Sequence, residues 1–179
     1  AQRIVCVVVP AVVVDASGVG QMLGTDASVP VAANYPPHAI TDRFSLLTAF
    51  PLARSVRPIA GGVRGRIAET FVETSPRSWA ESDLSELDTG EVHLDEEAGD
   101  VAGPIPIASA VSVVIDADEA DAGDANPTGE AANDTDTGDD DDPALEARFA
   151  MFGDSDFATN GSVGIQGNQD LALNAINWL

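Results

Sequence analysis

With 30 acidic residues against 8 arginines and no lysine, the 179-residue chain carries a net charge of -22, a field that repels nucleic acid and anionic lipid headgroups. Its length suits one domain with a real core and is too short for two comfortable ones. A single cysteine, Cys6, excludes an internal disulfide and a cysteine-based metal site, and the lysine-free, Asp-rich surface suits a salt-rich setting.

The first element is the valine-dense run Ile4–Val14, which stops at Asp15 before Ser17-Gly18. A continuous β-branched run of this kind predicts one or two strands buried on both faces. Cys6 within it reads as a buried, inert thiol. The run is far shorter than the roughly 20 residues that span a bilayer, and it lacks the n-region and cleavage site of a signal peptide. A start in a strand and an end in a helix suggest a piece of something longer. Residues 18–24 read as loop with a turn around Gln21–Leu23, and Val29–Tyr35 as a short strand ended by Pro36-Pro37. His38 to Arg43 reads as a turn or one helical turn. Leu46–Val56, with Pro51 in its middle, predicts an edge or bulged strand.

After Gly61-Gly62, the pattern predicts a half-buried strand over Ile67–Thr74, a short helix over Ser78–Leu87 and a polar loop over Gly90–Glu97. Pro104–Ile115 is a convincing strand. Residues 116–142 hold 12 acids, no base and only alanine among apolar types, so they cannot bury enough surface to offset the entropy of ordering them. They read as a disordered acidic insert, to about residue 143, within one partial domain whose core is 1–115 and 144–179. The flanking strands Pro104–Ile115 and Arg148–Phe152 are then a hairpin or neighbours in one sheet.

The last stretch, from Arg148 to Leu179, organises the rest. Phe149–Phe152 is an apolar strand that stops at Gly153, and acids and hydroxyls crowd its end. Asn168 or Asp170 is placed to cap a closing helix that sets Leu171, Ala175 and Trp178 on one face, with Ala172, Ile176 and Leu179 beside them. Open α/β sheets hold ligands where a strand ends and a helix begins, which makes Asp154, Ser155, Asp156, Asn160, Asn168 and Asp170 the candidate ligand- or partner-binding residues.

Each constellation has a bland reading beside its sharp one. Phe152-Gly153-Asp154-Ser155 resembles the first block of the GDSL/SGNH esterases, which would make Ser155 a nucleophile. That chemistry needs a histidine, and none follows Ser155; His38 and His93 both precede it. A turn serine bonding local backbone is the alternative. Asp134-x-Asp136-x-Gly138-Asp139 brushes against a calcium loop but has glycine fifth and aspartate sixth, so no built metal site is read, and a calcium-tuned extracellular binding module stays a rival reading. Asp154 and Asp156 either chelate an ion with Asn160 or Asp170, or satisfy loop amides. Gly161, Gly164 and Gly167 match neither a phosphate loop nor the dinucleotide fingerprint, so no cofactor is expected. Trp178 reads as core, Trp79 as a half-buried loop anchor, and Arg54 and Arg57 as partners of surface acids.

With these residues laid out, the chain resembles the extracytoplasmic auxiliary component of gliding-motility-type ABC transporters. The passages that carry the resemblance are Pro30–Val56, Thr74–Leu84, Gly103–Ala108 and Arg148–Leu179, in the family's order. The combination Gly-Asp-Ser-Asp-Phe, Asn-x-Asp-Leu and Asn-x-x-Asn-Trp-Leu is its most specific part. The resemblance implies an α/β fold, a Rossmann-like, amidotransferase-like open sheet without a catalytic triad. It implies an extracytoplasmic, membrane-anchored protein whose membrane contact lies in segments outside this chain. Its partners would be an ABC permease and ATPase, with a part in motility or export. It transfers no catalytic residue and no cofactor. The expectation is a non-enzymatic recognition or assembly subunit.

Overall fold

A computed structural model describes residues 6–59, 66–115 and 145–179. The acidic insert expected over 116–143 therefore lies outside the described residues. Strands dominate. In chain order they are β1 (Cys6–Asp15), β2 (Val31–Ala32), β3 (Thr48–Ala49), β4 (Arg54–Pro58), β5 (Arg66–Glu73), β6 (Ser78–Glu81), β7 (Val101–Ala102), β8 (Pro106–Ile115) and β9 (Leu145–Phe152). The helices are α1 (Val19–Met22), α2 (Leu84–Thr89) and the closing α3 (Asn168–Trp178), with single 3-10 turns at Ala39–Thr41 and Asp156–Ala158.

The strands form a four-stranded sheet in the order β4-β1-β6-β7, a three-stranded sheet β5-β8-β9 and the pair β2-β3. Every pairing among the described residues is antiparallel. The fold is thus mixed α/β with open sheets and few helices, and no Rossmann-like parallel topology is present among these residues. The reason is visible in the connections. A parallel neighbour needs a crossover of a dozen or more residues, usually helical, whereas α1 and α2 are only 4 and 6 residues long.

Local chemistry explains where elements depart from expectation. β1 is one strand, but its register slips between Val8 and Val12, around Pro10, which cannot donate to the ladder. Apart from Cys6, only its second half is buried: Val13 and Val14 are fully enclosed while Val8 is 53% exposed. Leu46–Val56 is two strands rather than one, because the chain turns at Pro51-Leu52, where Leu52 takes φ 54°. The expected strand Val29–Tyr35 shrinks to β2, and the Tyr35 hydroxyl then ties the β2–β3 unit, donating to Leu46 O at 2.7 Å and sharing a 2.9 Å bond with Thr48. Burial pushes that phenol up to about 12.

The helix expected over Ser78–Leu87 is split. Ser78–Glu81 is a strand clamped between β1 and β7, and the helix starts only at Leu84, where the Asp83 carboxylate accepts from the Ser85 amide at 2.9 Å. Trp79 is consequently buried in a sheet rather than anchoring a loop, and its indole donates to Glu81 at 3.0 Å.

β8 and β9 pair from Ala108↔Phe152 to Ile115↔Leu145, the neighbour relation expected of them. The main core joins Val13, Phe71, Val72, Ala80, Ile107 and Phe157 to Leu171 and Ala175 of α3. A second cluster of Cys6, Val56 and Val111 fills the space between the two larger sheets. Leu171, Ala175 and Trp178 do face the core, while Ile176 and Leu179 stand in solvent. Among the described residues no helix is long and apolar enough to cross a membrane.

Candidate functional site

β9 ends at Phe152, and Gly153 is wedged against β4. Its amide donates to Ile107 O and its carbonyl accepts from Arg54 N, both at 2.8 Å. A Cβ at this position would sit 1.8 Å from the Arg54 carbonyl oxygen, so only glycine fits. The joint ties both large sheets to the turn that follows.

In that turn the Asp154 side chain folds back on the chain. Its two oxygens accept from the Asp156 amide at 2.6 Å and the Phe157 amide at 3.1 Å. Burial pushes the Asp154 carboxyl above its ordinary value, and the neighbouring Asp156 charge adds to this, while the two amide bonds oppose it. The turn seats Phe157 in the core against Phe50 and Phe152. Ser155 and Asp156 are exposed on its outer side.

Asn168 is the most constrained of the candidates. It is fully buried. Its Oδ1 accepts from Ala49 N at 2.9 Å, and its Nδ2 faces the carbonyls of Ala49, Ser162 and Phe157 at 2.9, 3.1 and 3.2 Å. Neither Asn168 nor Asp170 caps α3. The N-cap is Gly167 with no side-chain bond, and its own amide reaches Leu47 O at 2.8 Å. A cap side chain has no room there, since a Cβ on Gly167 would lie 2.6 Å from that of Leu46.

The six candidate residues therefore separate. Asp154 and Asn168 are buried and committed to backbone groups, linked through Phe157. Ser155, Asp156, Asn160 and Asp170 are exposed. No three His, Cys, Asp or Glu groups among the described residues are arranged to hold a metal ion. His38 is engaged elsewhere, its Nδ1 accepting from Ile40 N at 3.1 Å and its ring against Phe71 and Trp178.

A different place gathers chemistry that single-residue reading of the sequence missed. A cleft of about 210 Å³ opens on the face of the β5-β8-β9 sheet that looks toward the first 3-10 turn and the end of α3. Register sets Ile67, Ser112 and Arg148 in one row across the sheet and Glu69, Ala110 and Ala150 in the next. His38 and Trp178 close it from above. Arg148 is held by Glu146 through Nε at 2.8 Å and Nη2 at 2.7 Å, and by the Trp178 carbonyl at 2.9 Å, with its guanidinium carbon 5.4 Å from the Trp178 ring. The Arg148 and Ser112 hydrogen bonds hold the Glu146 carboxyl below its usual range. Burial pushes the His38 imidazole below its ordinary value, partly opposed by the Glu69 charge. The signal was present as charged residues on alternating strand positions, Glu69 on β5 and Glu146 with Arg148 on β9, but it needs strand register to become a site.

Compared with protein-family models, with curated proteins and with solved structures, the chain shows no match to any of them.

Proposed function

We propose that the chain is a non-catalytic recognition or assembly part of a membrane ABC transport system, on the extracytoplasmic side, acting beside a permease and an ATPase. The observation that carries this reading is that the four passages resembling the transporter component are hydrogen-bonded to one another. Asn168 of the last passage grips Ala49 of the first. Gly153 of the last joins Arg54 of the first to Ile107 of the third. Thr74, opening the second, exchanges bonds with Ile105. Residues scattered over the sequence thus serve one connected frame. Asp154 and Asn168 at the strand end are spent on that frame, which supports a reading in which the chain acts through its surface. The Rossmann-like, amidotransferase-related part of the reading would place its parallel strands outside the described residues.

The test is to tag the native gene, crosslink intact cells and capture the full-length protein from solubilised membranes. Permease and ATPase subunits recovered in fixed proportion support the proposal. Recovery without either, together with ester hydrolysis that Ser155→Ala abolishes, overturns it in favour of the hydrolase.

A further inference from the structure

The cleft on the β5-β8-β9 sheet contains two carboxylates with unlike fates. Glu146 is neutralised by Arg148, which contacts it through two nitrogens. Glu69, two strands away, has no hydrogen-bond or ion-pair partner among the described residues, and its electrostatic interaction there is with the half-buried His38. β5 and β9 flank β8, so their facing side chains start about 10 Å apart, a spacing that admits one extended side chain between them. The volume leads to the same conclusion. Sites for small metabolites run from about 300 Å³ upward, and this cleft holds about 210 Å³.

The chemistry of the walls selects the side chain. Arg148 shows what they do with a guanidinium: two nitrogens on one carboxylate oxygen, a backbone carbonyl and a ring face. On the Glu69 side part of that set is present without a guanidinium: a carboxylate and an aromatic wall of His38 in contact with Trp178, over an apolar floor of Ala110 and Ile67. A planar, weakly hydrated cation on an aliphatic stem matches that set better than a compact ammonium does. The net charge of -22 draws basic segments toward the surface as a whole. We propose that this cleft is the seat for an arginine side chain presented by a partner polypeptide, with Glu69 as its counter-ion. The inference does not depend on which assembly the partner belongs to.

The experiment titrates the full chain with the peptide acetyl-Gly-Arg-Gly-amide by calorimetry at moderate ionic strength, with lysine and citrulline versions beside it. A single saturable site is expected for the arginine peptide, with the citrulline peptide about tenfold weaker or worse and lysine between. Glu69→Gln, an exposed and nearly isosteric change, should weaken the arginine peptide about tenfold. Asp88→Asn on α2 removes the same charge elsewhere and should leave binding unchanged. Equal losses in the two variants would mean general attraction to an acidic surface and would overturn the proposal. So would a binding curve that stays linear, with no curvature, up to about 10 mM peptide. Hydrogen exchange or circular dichroism matching the parent shows that Glu69→Gln is folded.

Discussion

Asn168 gives the sharpest test of how this fold is held. Its side chain is the only side chain of the described residues seen to bridge Ala49, Phe157 and Ser162, and it does so with no exposure to solvent. Asn168→Ala strips partners from one amide and three carbonyls. A buried group left unpaired costs about 1–3 kcal/mol, but two amide hydrogens serve three carbonyls, and water can reach the partly exposed Ser162 side. About 3 kcal/mol in total is the expected loss. A domain of this size shows a urea slope of about 2 kcal/mol/M, so the midpoint should fall by about 1.5 M. Asn168→Asp is more telling, because it keeps shape and acceptor while turning the donor into a second anionic oxygen facing three carbonyls. The start of α3 favours a negative charge by only about 0.3–1 kcal/mol. An unpaired buried charge costs about 3–5 kcal/mol, so repulsion wins. At neutral pH the order should be Asn, then Ala, then Asp. The buried carboxyl has its value raised in the folded state, so acidification should restore stability to the Asp variant and not to Ala. Urea titrations followed by the fluorescence of Trp79 and Trp178 read all three. A midpoint shift below about 0.3 M for Asn168→Ala, or Asp as stable as Ala at pH 7, would refute this role for the Asn168 side chain.

Three further outcomes follow from the same geometry. Gly153→Ala drives a methyl into the Arg54 carbonyl, and because backbone cannot yield as a flexible side chain can, the loss should reach the upper end of the 1–3 kcal/mol typical of overpacking, about 3 kcal/mol or more, by urea denaturation. Ser155→Ala, at an exposed turn position with no side-chain cap bond, should shift stability by less than about 0.5 kcal/mol and leave hydrolysis of a chromogenic ester at background; loss of measurable hydrolysis would make Ser155 catalytic. For Asp100, burial pushes the carboxyl up but bonds from the Asp95 and Ser82 amides and the Ser82 hydroxyl outweigh it and hold it low. The folded value lies below the unfolded one, so its stabilisation is present above the ordinary aspartate range and is lost as pH falls through the lowered value. Amide protection factors at Ser82 and Asp95, taken relative to the intrinsic exchange rate at each pH, should therefore fall on acidification in the parent and show no such step in Asp100→Asn.

Much of this was legible in the sequence where the cause is local. The β8 and β9 runs, the arrest at Gly153 and the buried face of α3 follow from apolar period and turn chemistry within a few residues. The first part of the helix expected over Ser78–Leu87 is a strand because burial between β1 and β7 overrides local preference, and no window around Trp79 contains those strands. Asn168 was recognised as a helix-start residue, yet its partner Ala49 is 119 positions away. Its side chain is recruited by the fold rather than by the helix. The cleft behind Glu69 was out of reach for a related reason. Its charges lie on β5 and β9, and only their common register with β8 brings them to one face.

The placement of function at the strand end rested on a rule with a physical basis that this architecture lacks. In a parallel sheet every strand finishes at the same edge, and helix N-termini and strand-end loops collect there, so polar residues after one strand predict a shared site. In an antiparallel sheet neighbouring strands finish at opposite edges. The strand next to β9 finishes at the far edge, and β5, which ends at the same edge, is one strand further off; the turn uses its polar groups for itself, Asp154 satisfying two amides and Asn168 closing the loop onto β3. What an antiparallel sheet aligns instead is side chains across strands on one face, two residues apart along each. On that face Glu69 stands beside His38 and Trp178, so under the arginine-seat proposal substitution of Glu69, more than of Asp154, should be felt by a partner.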